Sequence, residues 1–132
     1  MHLKYAFLAE HANVTEDGKL NVLGIFDRLY APSFPCLHRV LYLVTSYETE
    51  PLDAGTTQQL EIRFVDPDAK AVRDITGTLT FGVGKQVVNQ LHVFNDLPFQ
   101  VAGNYEFTIT LDGKLLHTVG LELIEVQQNP SP

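Results

Sequence analysis

Apolar residues in this chain recur at every second position, and hardly anywhere at helical spacing, which predicts strands from one end to the other. Leu3, Tyr5, Phe7 and Ala9 share one face of a first strand ending near Asn13. Glu16-Asp17-Gly18-Lys19 then makes a hairpin turn with glycine at the left-handed position. The second strand, Leu20–Phe26, has Leu20, Val22 and Phe26 on one face and Leu23 and Ile25 on the other. Apolar character on both faces predicts a central strand, or one covered by the loop that follows. Gly24 inside it marks a bulge or a close approach of another backbone. Residues 28–37, with Pro32 and Pro35, read as an irregular crossover between sheets.

A third strand over 40–48 reads as buried at its start and polar at its end. In the fourth, Leu60, Ile62 and Phe64 point inward while Glu61 and Arg63 point out, and Asp66-Pro67-Asp68 turns the chain. Ile75, Leu79 and Phe81 alternate with Thr76, Thr78 and Thr80 in the fifth. Gly82-Val83-Gly84-Lys85 is a connection, and the sixth strand covers 87–97. Tyr105, Phe107, Ile109 and Leu111 face inward in the seventh, opposite Glu106, Thr108 and Thr110. Asp112-Gly113 signals a hairpin into an eighth strand over 115–126, with Val119, Leu121 and Leu123 on one side. Residues 127–132 read as a disordered tail.

Eight short strands with no helical segment predict an all-β fold, an antiparallel two-sheet β-sandwich of immunoglobulin-like or jelly-roll-like type. Two four-stranded sheets over a single domain, 1–126, is the expected arrangement. Gly103-Asn104-Tyr105-Glu106-Phe107 resembles the tyrosine corner of immunoglobulin-like folds, in which a tyrosine near a strand start bonds back to the preceding loop. Phe107 stands where antibody domains place a cysteine, and the chain has no Trp.

At 132 residues, 45% apolar and 19% charged, the chain can bury a core without covalent staples. Its formal charge of −7, with 9 scattered Lys and Arg, argues against nucleic acid or an anionic membrane as partner. Cys36 is the only cysteine, so no intrachain disulfide forms and a reducing compartment is expected. No run approaches the ~20 apolar residues of a membrane span, and His11 and Glu10 interrupt the opening segment before a signal-peptide core forms. The expectation is a cytoplasmic protein.

Candidate chemistry is sparse. His2, His11, His38, His92 and His117 include no His-x-His pair, so metal ligation is not expected. Asp53, Asp66, Asp68, Asp96 and Asp112 sit in or near turns, where each has a turn-forming role, and only Asp66 and Asp68 are close neighbours. Cys36 beside His38 offers a nucleophile and a base with no third orienting group. None of Ser33, Ser46 and Ser131 lies in a Gly-x-Ser-x-Gly elbow, and the 82–85 connection is too short for a phosphate loop. No catalytic residue, metal or cofactor is therefore expected. Arg28, Leu29, Tyr30 and Phe34, in a proline-stiffened connection, have the aromatic and arginine composition that interfaces favour.

Residues 11–35, HANVTEDGKLNVLGIFDRLYAPSFP, with LHRVLYLV (37–44) and GNYEFTITLDGK (103–114), resemble a family of small bacterial and phage-encoded proteins catalogued as a domain of unknown function. The resemblance implies an all-β cytosolic domain and brings no activity, cofactor or site residue with it. The function expected is a non-catalytic interaction module, an adaptor or assembly component that contacts an unknown protein or itself as a homodimer. Edge-strand pairing or docking of the 28–35 loop would be its mechanism. The alternative is a small-molecule or carbohydrate-binding jelly roll, with Thr45, Tyr47, Glu48 and His92 lining a concave sheet face. A calcium-dependent domain of C2 type is the least favoured.

Overall fold

Alternation becomes strand wherever one parity of side chains can be buried, and turn residues fix where each strand stops. The computed structural model describes residues 1–84 and 86–127. Within them lie nine strands: β1 (His2–Val14), β2 (Leu20–Phe26), β3 (Arg28–Ala31), β4 (Cys36–Glu48), β5 (Thr57–Val65), β6 (Ala71–Thr80), β7 (Val87–Phe99), β8 (Gly103–Leu111) and β9 (Lys114–Glu125). A single 3-10 turn, Pro51–Asp53, is the only helical element among the described residues. No described helix is long and apolar enough to cross a membrane. Lys85 and residues 128–132, most of the expected tail, lie outside the described part.

The strands form a β-sandwich of a four-stranded sheet, β2-β1-β4-β7, and a five-stranded sheet, β3-β9-β8-β5-β6. The expected eight strands in two equal sheets become nine because residues 28–31 pair parallel with β9, Arg28 opposite Glu122 and Ala31 opposite Glu125. This segment does cross between the sheets, as its prolines suggested, and contributes an edge strand on the way. β2 is an edge strand too. Its second apolar side, Leu23 and Ile25, stands 67% and 64% exposed, so two apolar faces did not mean a central position here.

Both inner faces feed one core. Leu60, Ile62 and Phe64 of β5 and Tyr105, Phe107, Ile109 and Leu111 of β8 are buried as the alternation requires. They meet Leu8, Leu41, Leu43, Phe94, Leu97 and Phe99 from the other sheet. Phe64 lies 4.7 Å from Phe107 and 5.7 Å from Phe99, ring centre to ring centre, and Phe94 meets Phe107 edge-on at 5.0 Å. Interlocked aromatics of this kind add about 0.5–1.5 kcal/mol per pair beyond the area they bury.

The end turns use local side-chain bonds. Asp66 Oδ1 accepts from the backbone amides of Asp68 and Lys70, each at 2.9 Å, which closes the β5–β6 turn. Asp112 Oδ1 accepts from the amide of Gln59 at 2.8 Å. Gly24 has φ +69, with the side chain of Glu10 about 3.0 Å from where a Cβ would sit. The close neighbour at this glycine is a side chain rather than a backbone.

Candidate interaction surface

Antiparallel register places three cross-strand rows on the outer face of the four-stranded sheet. Tyr5, Ser46 and Asn89 lie opposite one another across β1, β4 and β7. Phe7, Val44 and Leu91 form the next row. Ile25, Ala9, Tyr42 and Val93 form the third, now spanning all four strands. Alternation along the first strand puts Leu3 with Tyr5, Phe7 and Ala9, but Leu3 does not share their face. A bulge between Leu3 and Tyr5 turns Leu3 toward the core and leaves Tyr5, Phe7 and Ala9 outside.

The first row is polar, with the Ser46 hydroxyl donating to Asn89 Oδ1 at 2.7 Å and the Tyr5 hydroxyl at 3.5 Å from the same oxygen. The other two rows are apolar throughout. Ala9 and Val44 are fully buried under their neighbours, with Ala12 beside them and Tyr5, Phe7, Leu20, Val22, Tyr42 and Leu91 packed around. Rings on this face also pair: Tyr5 stacks on Phe7 at 5.5 Å, and His11 meets Tyr42 edge-on at 5.1 Å. Ile25 and Val93, at the two margins, are 64% and 43% exposed.

The outer face of the five-stranded sheet has the opposite character. Arg63 faces Asp74 on one side and Thr108 on the other, and Glu61 faces Thr76 and Thr110. Arg63 Nε donates to Asp74 Oδ1 at 3.0 Å, and its Nη2 to Glu61 Oε1 at 3.1 Å. One sandwich thus presents a wet face and a dry one. The second hydrophobic cluster is separate from the core and centres on the side of β1 and β4 that the pleat turns away from it. That is the position in which sandwiches ordinarily carry polar side chains.

The residues singled out from the sequence are distributed differently. Arg28 and Tyr30 point outward from β3, whereas Leu29 and Phe34 pack against the core. Tyr30 lines a shallow cleft of about 280 Å3 with Ala31, Pro32 and Val126. Tyr30 and the neighbouring Asp27 carboxylate raise the pKa of the exposed Arg28 guanidinium.

The supposed ligand face is divided by the pleat. Tyr47 and His92 point into the sandwich, on the side of Leu43 and Phe94, while Glu48 lies on the opposite side of β4 near His2. Tyr47 is 0% exposed, so it lines no open concave surface. Leu41, Leu43 and Val44 are buried as the sequence leads one to expect, and the polar end carrying Thr45, Ser46 and Tyr47 is buried as well. The polar residues are covered because both neighbouring strands, β1 and β7, flank β4 there.

Tyr47 Oη, Gln90 Oε1 and His92 Nε2 are buried and meet no hydrogen-bond partner among the described residues. Burial pushes the Tyr47 phenol up, with the Thr45 hydroxyl opposing, and pushes the His92 imidazole down. Burial likewise raises the Cys36 thiol, the reverse of what a nucleophilic thiolate requires. Among the described residues, no three His, Cys, Asp or Glu side chains gather where they could hold a metal ion.

The sequence carries the dry face only in signals that a covered strand would also give. Those signals are the unbroken apolar run at 40–44 and the two apolar faces of β2.

The sequence model of a family described as "Family of unknown function (DUF6941)" matches residues 4–124. Among curated proteins none matches the chain. Of the solved structures, an alkylpurine DNA glycosylase, AlkC, of Pseudomonas fluorescens, bound to DNA containing an abasic site analog, is similar over 90% of this chain at 13% identity. This chain spans 30% of that enzyme's length, and at a TM-score of 0.46 the likeness carries no argument.

Proposed function

We propose that this chain, which belongs to the DUF6941 family, is a non-catalytic interaction module working by protein–protein contact through the outer face of its four-stranded sheet. One observation carries the reading, the contrast between the two outer faces. On one, Phe7, Ile25, Tyr42, Leu91 and Val93 surround the buried Val44; on the other, Arg63, Asp74, Glu61 and threonines face water. Contiguous exposed apolar surface rimmed by polar groups marks contact sites, because leaving it in water costs ~25 cal/mol per Å2. The Tyr5–Ser46–Asn89 row supplies such a rim at one end.

A protein partner fits this surface better than nucleic acid or an anionic membrane, since the chain carries a charge of −7 and the apolar rows hold no Lys or Arg. The lone Cys36 supports a reducing, cytoplasmic setting. Tyr30 and the outer edge of β3 adjoin a separate cleft and form a secondary contact in the same scheme.

Photo-crosslinking in the native host tests the proposal. A benzophenone residue at Ile25 or Val93 is expected to form adducts with a polypeptide, and one at Thr78 on the wet face is not. Equal labelling from all three positions, or none from Ile25 and Val93, would remove the proposal.

A further inference from the structure

Of the four edge strands, β2, β7, β3 and β6, one lacks any device that turns another strand away. Short length, charge, proline and breaks in the extended backbone are the usual devices. β3 has four residues and carries Arg28, β6 carries Arg73 and Asp74, and Gly24 at φ +69 interrupts β2. The parts of β1 and β9 that β2 and β3 leave uncovered each contain a register shift. β7 has none of these from Val87 to Asn95, and its register against β4 stays in step there. We infer that β7 takes up an extended segment of a partner protein as a fifth strand of the sheet; this rests on the contact reading above.

The unpaired backbone groups of β7 are regularly placed. Alternate residues of an antiparallel strand turn both of their backbone groups to the same side. The Gln86 carbonyl accepts from the Thr49 amide at 2.9 Å, on the β4 side, so Val87, Asn89, Leu91 and Val93 turn theirs to the open side. Asn95 marks the end of the row, since its carbonyl accepts from Arg73 of β6, as does that of Asp96. Val87–Val93 leaves about 20 Å of edge, the length of an ordinary strand. A donor and an acceptor at every second residue are matched by another extended backbone, and by no other kind of apolar surface.

The inner side of the same edge supplies a second, independent sign. Gln90 Oε1 and His92 Nε2 are buried there without a hydrogen-bond partner among the described residues. Gly77 of β6, opposite Leu60, lies on the inner side of the facing sheet, and a Cβ there would meet nothing within 4 Å. The Arg73–Asn95 bond sets the two edges side by side and puts Gly77 about level with Gln90. Inward side chains of an added strand therefore have space there. Residues of that strand opposite Leu91 and Val93 lengthen the two apolar rows. Those opposite Gln90 and His92 carry a hydroxyl or carboxamide that bonds the two orphaned atoms.

Selection of random peptides about nine residues long on the purified full chain, followed by amide hydrogen exchange with the best binder, tests this. The selected sequences are expected to alternate apolar residues with Ser, Thr, Asn or Gln. The bound peptide is expected to slow exchange at Asn89, Leu91 and Val93 at least tenfold and to leave Thr76 and Thr78, on the edge of β6, unchanged. Val93→Pro removes an outward amide that the ladder with β4 does not use, and is expected to weaken binding at least tenfold, whereas Thr78→Pro is not. Thermal melts identify any variant that fails to fold, and the exchange result stands without them. A selection that enriches nothing, or a binder that leaves the three amides unprotected, overturns the strand addition. So does protection that appears in the chain alone and grows with its concentration, which would assign the edge to a second copy. In each of these cases crosslinks from Ile25 or Val93 to another polypeptide leave the contact reading in place, and their absence removes that as well.

Discussion

The phenol of Tyr105 donates to the carbonyl oxygen of Val101, four residues back, at 2.7 Å. This bond ties the start of β8 to the β7–β8 connection that carries the chain from one sheet to the other. The ring is part of the core it anchors, stacked on Phe64 at 5.5 Å and edge-on to Phe99 at 4.9 Å.

Tyr105→Phe keeps the ring and deletes the bond, leaving the Val101 carbonyl short of a partner. A buried hydrogen bond lost in this way costs about 1–2 kcal/mol. Urea unfolding is expected to show a lower midpoint with an unchanged slope. An unchanged midpoint would mean that the corner does not hold the crossover.

The corner could be read from Gly-x-Tyr-x-Phe alone, because it depends on neighbours within five positions. The same holds for Leu60, Ile62 and Phe64, where charged residues between the apolar ones leave a single face that can be buried. Strand β3 was not legible in this way. Its four residues are too few to show a period, and its parallel partner, β9, lies more than ninety residues away in the chain. Tyr47 and Glu48 read as one face because they are adjacent in sequence, whereas the pleat sends neighbours to opposite faces. The dry face stayed hidden for a related reason. An apolar run such as Val40-Leu41-Tyr42-Leu43-Val44 shows that both sides of a strand avoid water without showing what covers the second side.

Tyr47→Phe should stabilise the protein. The Thr45 hydroxyl is near enough to oppose the effect of burial on this phenol but makes no hydrogen bond of acceptable geometry to it, so removing the buried hydroxyl relieves a desolvation cost of about 1 kcal/mol. Equilibrium denaturation at pH 7 gives the sign. A variant weaker than wild type by a similar amount would mean that this hydroxyl is satisfied in solution.

His92 makes stability depend on pH. Its pKa is held below the ordinary histidine value of 6.5 by burial, so the unfolded chain takes up a proton more readily than the folded one. The stability this contributes is complete above the unfolded pKa and is lost as pH falls through the depressed folded value. Denaturation midpoints of wild type and His92→Phe, compared from about pH 7.5 to about pH 5, are expected to diverge as the solution acidifies, with the variant losing less. Parallel curves would show that His92 has no part in the acid limb.

Gly24→Ala tests the strain in β2. Any side chain at φ +69 sits in the left-handed region, and the added Cβ would press on Glu10, whose flexible end can move aside. The cost is therefore mainly conformational, about 1–2 kcal/mol. Pairing the substitution with Glu10→Ala should recover only a small part of it. Full recovery would assign the cost to the contact instead of the backbone.

Solvent relaxation by a soluble gadolinium chelate, read on the methyl groups of Ile25, Leu91 and Val93 and on those of Thr76 and Thr78, addresses the dry face most directly. The account predicts that the first three lose accessibility when host extract is added to the purified protein, while the two threonines keep theirs. Methyls of Ile25, Leu91 and Val93 that remain as open as the threonines with host extract added would contradict it.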